Sequence, residues 1–389
     1  MLATPVREVH VSDFLDELGI RERRIPFGGT IETTFRCNLQ CVHCYVNAPV
    51  DSQQEREREL PLSRHLRLID EVVEAGCVSL LLTGGEVLVR PDFAELYEYA
   101  VRRGLRASVF TNATLLSDRV LDLFERLPPI GVEVTLYGAT LETYERITRV
   151  AGSFDRCISG IEGMLARGTN LKLKAMVMTR NEHEIEAMRS YAQRLGVPFR
   201  HDGLLNPRVD CGANRNPELQ LSAERLVAVD LSDPVLENRY RRSAEKIMCG
   251  GADQQRSECV YSCGGGHTSF TVDPYGNLLL CLLSRRSSFD LRSDTFLRGW
   301  NGLLPKVRRR KWQSDSICRK CSLLPLCGSC PGVAEMEHGD PEAQVARCCE
   351  ITHLRTHSIL GDACGHRADA SCCLRPATAP NDVQDPPAD

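Results

Sequence analysis

Three cysteines constrain this chain more than any other feature. Cys37-Asn-Leu-Gln-Cys41-Val-His-Cys44 sets a C-x3-C-x2-C triplet in a loop directly after an apolar stretch, residues 29–35. Three thiolates on one short loop can hold three irons of a 4Fe–4S cube, whereas a cube held by protein alone takes four. The missing fourth leaves one iron open to bind something else. A structural zinc site closes at four ligands and often uses paired C-x2-C knuckles, so the spacing favours iron and sulfide. The chain begins Met1-Leu-Ala-Thr-Pro-Val-Arg-Glu, without a long apolar segment, and no run approaches membrane-spanning length. The expected setting is the cytoplasm, where thiols stay reduced, so nineteen cysteines signal metal rather than disulfides.

From residue 29 onward strand and helix patterns alternate. Apolar strand stretches fall at 29–35, 78–82, 106–111, 132–137, 171–178 and 197–200. Between them lie helix patterns at 62–74 (Leu66, Ile69 and Val73 on one face), from Phe93 to Val101, at 118–127, around Phe154, Ile158, Ile161 and Leu165, and at 182–195. The run at 78–82 reads as a parallel strand covered on both faces. Six such repeats predict parallel βα units with right-handed crossovers. In parallel α/β folds the chemistry sits at the carboxyl ends of strands. The Cys37–Cys44 loop, Gly84-Gly85-Glu86, Asn112 and Tyr137 all fall at such ends.

At 389 residues, 42% of them hydrophobic, the chain can fill a main domain and a smaller one. A net charge of −4 argues against a general nucleic-acid binder. The expected divisions are an N-terminal extension (1–27, with a small helix at 11–18), a main domain (28–205), a linker and helical bridge (206–255), a second cysteine field (256–360) and a disordered tail (361–389). The charge-dense stretch 51–59 reads as a solvated loop.

The triplet Cys37, Cys41 and Cys44, followed after a helix by Leu80-Leu-Leu-Thr-Gly-Gly-Glu86, resembles the radical S-adenosylmethionine (SAM) superfamily. That resemblance implies an α/β fold, a partial (β/α)6 TIM-like barrel open at its side. It implies that the open iron chelates the amino and carboxylate groups of SAM, and that reductive cleavage releases a 5′-deoxyadenosyl radical. It points to Gly84, Gly85, Glu86, Asn112, Thr135 and Lys174 as cofactor-binding residues, with Glu86 offered to the methionine ammonium. Lys174 and Arg149 are the two candidates for the SAM carboxylate. The proline that usually follows the Gly-Gly-Glu motif is Val87 here, and His43 reads as a packing residue beside the adenine.

The second field runs Cys259, Cys263, Gly276, Cys281, then Cys318, Cys321, Cys327, Cys330, then Cys349. Residues 270–280 read as a hairpin around Asp-Pro-Tyr-Gly that brings Cys263 and Cys281 to one end. The C-x2-C spacings taken alone also permit structural zinc. The whole order resembles the SPASM domain of radical SAM peptide and protein maturases, although the last gap is two residues where the family has three. The resemblance implies two auxiliary 4Fe–4S clusters, a nearer one on Cys259, Cys263, Cys281 and Cys330 and an outer one on Cys318, Cys321, Cys327 and Cys349. Cys249 competes with Cys259 for the first place. Cys348 cannot point the same way as Cys349, Cys77 and Cys157 read as packing residues, and Cys364, Cys372 and Cys373 as bystanders. The basic run Lys306–Lys311 reads as a solvated helix face, with an acidic peptide docked there as the alternative.

Within the superfamily the chain looks most like maturases of ribosomally made peptides, relatives of pyrroloquinoline quinone and mycofactocin pathway enzymes. The expected activity is hydrogen abstraction from a peptide, giving a new bond or an oxidised residue. Expected partners are that peptide, a small peptide-recognition protein that residues 1–27 are too short to contain, and an electron donor such as flavodoxin or ferredoxin, with no nucleic acid and no membrane. The rival readings are a radical SAM enzyme acting on a folded protein or a tetrapyrrole side chain, and a non-enzymatic zinc or iron–sulfur scaffold.

Overall fold

The computed structural model describes residues 11–46, 48–209, 217–249 and 257–361. The expected disordered tail beyond residue 361, with Cys364, Cys372 and Cys373, and linker residues 210–216 and 250–256 lie outside the described residues. Six strands run parallel in sequence order: β1 (Gly28–Glu32), β2 (Ser79–Thr83), β3 (Arg106–Thr111), β4 (Gly131–Thr135), β5 (Leu171–Met176) and β6 (Phe199–Asp202). Their outward residues, among them Leu80, Leu82, Val109, Val132, Val134 and Leu173, are fully buried under the helices. Burial of such side chains contributes roughly 1.5–3 kcal/mol each. The inner face differs from a strand covered on both sides. Leu81 and Thr83 of β2 are half-buried and line a cavity, because the barrel is open and its interior is left for a ligand.

The sheet continues past β1. Ser269–Val272 (β7) pairs parallel with β1, Gly28 opposite Ser269 and Ile31 opposite Val272. Asn277–Leu279 (β8) and Ser288–Asp290 (β9) follow antiparallel, giving nine strands in the order β9-β8-β7-β1-β2-β3-β4-β5-β6. The hairpin expected at 270–280 therefore extends the barrel sheet, and the sheet runs across the boundary placed at 256. Gly29 permits this: a Cβ there would stand 2.3 Å from Cζ of Phe270. Phe270 in turn packs edge-on to Phe296 at 4.7 Å between ring centroids, on the helix Phe296–Arg308.

The helix Leu62–Glu74 forms where its periodicity predicts, but the buried face is Arg64, His65, Leu68, Ile69 and Val72. Leu66 and Val73 are only partly buried. The C-terminal region covers that flank, Arg64 Nε donating to Leu291 O at 2.7 Å, and a contact from so far along the chain is invisible to local periodicity.

Two further helices depart from the sequence reading. The stretch 51–59 is not a solvated loop: Gln53–Arg58 is helical, capped by Ser52 Oγ. Glu59 after it is buried and bonded to Arg36 (2.8 Å) and Arg90 (3.5 Å). Charge density read as solvation here because the two cationic partners lie in other segments. The helix Leu141–Thr148, capped by Thr140 Oγ1, precedes the expected helix at Ser153–Ala166. Among the described residues no helix is long and apolar enough to cross a membrane.

Candidate active site

The cysteine loop is held from both sides by backbone. Gly85 N–H donates to Thr34 O (2.6 Å) and Glu86 N–H to Arg36 O (3.0 Å), zipping the Gly-Gly-Glu turn to the segment that delivers Cys37. Gly84 has φ +145°, and a Cβ on it would stand 2.2 Å from Thr34 O; one on Gly85 would stand 2.4 Å from Arg36 O. Only glycine allows two main chains to approach this closely. From the other side, Gln40 N–H and Val42 N–H donate to Thr148 O (2.9 Å) and Ile147 O (3.0 Å) at the end of the helix Leu141–Thr148. The orphan carbonyls of a helix end thus fix the loop between Cys37 and Cys44.

Cys37, Cys41 and Cys44 line one cavity of about 360 Å³. Gly84, Gly85, Asn112, Thr135 and Lys174 line it with them. Burial, then the charges of Glu86 and Cys44, push the Cys37 thiol up to about 12. Burial, then Cys44 and Cys37, push Cys41 up as well. Free thiols here stay protonated, and a bound metal is what would draw their protons off. Leu39 N–H (3.4 Å) and Asn112 Nδ2 (3.7 Å) donate toward Cys37 Sγ. His43 is half-buried and neutral, pushed down to about 4 by desolvation, its ring 5.2 Å from that of Tyr137.

Glu86 stands behind this wall. Its carboxylate accepts from Thr111 Oγ1 (2.7 Å), Asn112 N–H (2.6 Å) and Leu88 N–H (3.1 Å), and its side chain is fully buried. It therefore braces the end of β3 and orients Asn112. Lys174 Nζ lies 3.0 Å from Glu133 and 4.0 Å from the centre of the Phe110 ring. Burial lowers its pKa, with Glu133 opposing. Arg149 caps a helix at φ 57° and is exposed, away from the cavity. Sequence reading missed Arg200 and Asp202, which line the cavity from β6, and Glu133, which binds Arg200 (2.9 Å) as well as Lys174. Alternation along β6 was the available signal, but a four-residue strand carries too little of it.

The C-terminal cysteines gather in two groups. Cys263, Cys281, Cys318 and Cys330 line a second cavity of about 150 Å³. Burial pushes Cys281 up to about 11, with Cys330 and Cys263 acting in the same direction. Cys259 lies on an antiparallel bridge to Lys311, outside that cavity's lining. Cys318 is within electrostatic reach of Cys327 and Cys321, and Cys349 shares a hydrogen bond with Cys327 and feels Cys318. Cys318 therefore belongs by contact to both groups. Among the described residues no three His, Cys, Asp or Glu side chains close on a single metal ion. Cys348 is buried with Val333, Ala334 and Val345, in a cluster against which Cys327 and Cys330 pack. Cys77 and Cys157 are buried packing residues.

Glu335, also missed, ties the first group together. It sits on the helix Pro331–His338 that begins after Cys330. Its carboxylate accepts from the Tyr261 hydroxyl (3.0 Å), Ser284 Oγ (3.1 Å), Arg285 N–H (3.1 Å) and Arg286 N–H (2.9 Å). Arg285 then reaches into the barrel, donating to both oxygens of the fully buried Glu32 (2.9 and 2.8 Å). Leu282, next to Cys281, lines the same cavity as Cys37.

A parallel barrel with three loop thiols at the carboxyl end of β1, a glycine turn beside them and cysteine clusters packed on its flank defines a class of radical enzymes. Residues 31–192 match the radical SAM superfamily, and the chain belongs to it. It is 35% identical over 327 residues to the AdoMet-dependent heme synthase of Methanosarcina barkeri, covering 79% of this chain and 92% of that protein. It is 24% identical to the PqqA peptide cyclase of Granulibacter bethesdensis, covering 94% and 98%. Its fold matches Streptococcus suis SuiB bound to precursor peptide SuiA with a TM-score of 0.65, at 15% identity, over 89% of this chain and 85% of that one. The chain is thus an enzyme, and the scaffold reading falls away.

Proposed function

We propose that this enzyme is a maturase that abstracts hydrogen from a ribosomally made peptide and leaves a new bond or an oxidised residue. The observation that carries this reading is that one open cavity is bordered both by Cys37, Cys41 and Cys44 and by Leu282 beside the C-terminal cysteines. In it, Cys37, Cys41 and Cys44 hold a 4Fe–4S cluster whose free iron takes SAM, and together they supply a 5′-deoxyadenosyl radical. Gly84, Gly85, Asn112 and Thr135 receive the methionine and ribose, and Lys174 the carboxylate. Glu86 acts through Asn112. Cys263, Cys281 and Cys330, with Cys259 or Cys249, hold the nearer auxiliary cluster; Cys318, Cys321, Cys327 and Cys349 hold the outer one. Residues 28–205 serve as the radical domain, 256–360 as the auxiliary domain and 206–255 as the bridge, working in the cytoplasm with flavodoxin or ferredoxin as donor. A leader bound outside the cavity, with a small recognition protein, holds the reacting residue in place.

A peptide threads an open-sided barrel without having to fit a closed pocket, and the likeness to a peptide cyclase along almost the whole of both chains supports it. The second reading, a tetrapyrrole side chain, is favoured by the 35% identity to a heme synthase and by two cations at the cavity, Lys174 and Arg200, suited to carboxylates. Anaerobic incubation with SAM, reductant, any recognition partner and each small peptide encoded near the gene tests the choice. A peptide mass change, most simply loss of two hydrogens, is expected. Turnover of a porphyrin with every neighbouring peptide unmodified would refute the peptide reading.

A further inference from the structure

Asn112 stands at the carboxyl end of β3 with every hydrogen-bonding position of its side chain spent inside the protein. Nδ2 donates to Cys37 Sγ (3.7 Å) and to Asn38 Oδ1 (3.0 Å), while Oδ1 accepts from the N–H (2.9 Å) and the hydroxyl (2.7 Å) of Thr114. A side-chain amide offers two donors and two lone pairs, so none is left for a bound nucleoside, and the part Asn112 plays toward SAM is packing. Asn38 closes the ring, its Nδ2 donating to Thr114 Oγ1 at 2.8 Å. The ring also settles which way the amide points. The Thr114 N–H can face only oxygen, so nitrogen faces the cysteine.

Backbone and neighbours hold this geometry. Asn112 N–H donates to the buried Glu86 carboxylate at 2.6 Å. Ala113 is held at φ +62°, a left-handed conformation uncommon for any residue but glycine, within the tight turn that Thr114 N–H closes onto Asn112 Oδ1. Asn112 and Thr114 are both buried. The donor aimed at Cys37 is therefore fixed before anything binds.

Tyr137, two residues past β4, meets a second thiol. Its hydroxyl is within hydrogen-bond reach of Cys41, and toward a thiolate a phenol can only donate. The ring packs against His43 (5.2 Å between centroids) and Tyr144 (5.7 Å), and Asn181 Nδ2 donates to the Tyr137 carbonyl at 3.0 Å. Asn112 and Tyr137 line the cavity with the three cysteines. Hydrogen bonds to ligand sulfur favour the reduced, more negative state of an iron–sulfur cluster. The buried Glu86 carboxylate, whose charge bears on Cys37, works in the opposite direction.

We propose that Asn112 and Tyr137 set the reduction potential of the SAM-binding cluster through the donors they aim at Cys37 and Cys41. This rests on the reading of Cys37, Cys41 and Cys44 as its ligands. The step they govern is the gain of one electron from an external one-electron donor, before SAM is cleaved. Both protons stay where they are, on the Asn112 nitrogen and the Tyr137 oxygen, and no bond forms or breaks.

A redox titration of the anaerobically reconstituted holoenzyme, with dithionite as reductant and electron paramagnetic resonance as the readout, tests this. No SAM is present, so a lost contact to SAM cannot move the midpoint. The signal followed is the one missing from the Cys37→Ala/Cys41→Ala/Cys44→Ala variant. Tyr137→Phe and Asn112→Leu each remove one donor at nearly constant shape. In each, the reduced-to-oxidised ratio at a fixed potential should fall by about three- to tenfold, tenfold being a midpoint about 59 mV more negative for one electron. Tyr144→Phe makes the same change on a ring whose hydroxyl faces Cys157, and should leave the midpoint in place. A wild-type or less negative midpoint in Tyr137→Phe, or an equal shift in Tyr144→Phe, overturns the proposal. Tyr137→Phe decides the matter even if Asn112→Leu takes up too little iron to titrate. A triple variant that keeps every signal of the wild type refutes the cluster assignment itself, which separates that failure from a failure of the tuning.

Discussion

Replacing Glu335 probes the link between the cysteine segments. Its carboxylate is 9% exposed and accepts four hydrogen bonds, two from backbone N–H groups that have no other use for them. In Glu335→Ala the Tyr261 hydroxyl and Ser284 Oγ, 3.3 Å apart, can still bond to each other. The N–H groups of Arg285 and Arg286 cannot. A fully buried donor left unmade costs about 1–3 kcal/mol; with both N–H groups only part-buried and weakened hydroxyl bonds added, the loss comes to about 2–3 kcal/mol. Glu335→Gln keeps one oxygen for both N–H groups, and its amide faces two hydroxyls that can rotate to accept, so it should lose only about 1 kcal/mol. Urea titration of the two variants, with iron and sulfide counts after reconstitution, reads both effects. Glu335→Ala should unfold early and lose iron, and Glu335→Gln should keep it. A Glu335→Ala variant within about 0.5 kcal/mol of wild type and with full iron would show that Glu335 does not hold the segments together.

Gly84→Ala places a methyl group 2.2 Å from Thr34 O at a φ of +145°, and should cost about 3 kcal/mol or more, seen as lost SAM binding and a lowered unfolding midpoint. Lys174→Met keeps the bulk and leaves Glu133 with Arg200, so the fold should hold while SAM affinity in equilibrium dialysis drops by about tenfold; unchanged affinity would remove Lys174 from the carboxylate site. His65 is buried with both ring nitrogens unpartnered, and burial, then Arg90, push it down to about 3. A folded-state pKa below the unfolded value means that stability is fully present above about 6.5 and is lost as pH falls toward 3, at about 1.4 kcal/mol per unit. His65→Leu should therefore flatten the fall in stability between pH 6 and pH 5, and an identical slope in the two proteins would contradict that.

Much of this site lay open in the sequence because its parts are local. Cys37, Cys41 and Cys44 share one loop, and Gly84-Gly85 marks a close approach that only glycine tolerates. Regular apolar spacing located all six parallel strands, with ends displaced by a few residues. What stayed hidden depends on distant pairings. Glu59 looks solvated until Arg36 and Arg90 are brought to it. The strand Ser269–Val272 reads as half of a free hairpin until Phe270 meets the bare Cα of Gly29. Glu335 and Arg285 sit among ordinary surface-like residues, and nothing in their neighbourhoods announces four converging donors or a buried Glu32.

The central claim is that Cys37, Cys41 and Cys44 hold the cluster at which SAM is cleaved. It is tested most directly by reconstituting wild type and the Cys37→Ala/Cys41→Ala/Cys44→Ala variant without oxygen, then counting iron and measuring 5′-deoxyadenosine under strong reductant. The variant should keep its auxiliary iron and release no 5′-deoxyadenosine. Undiminished 5′-deoxyadenosine from the variant would contradict the assignment.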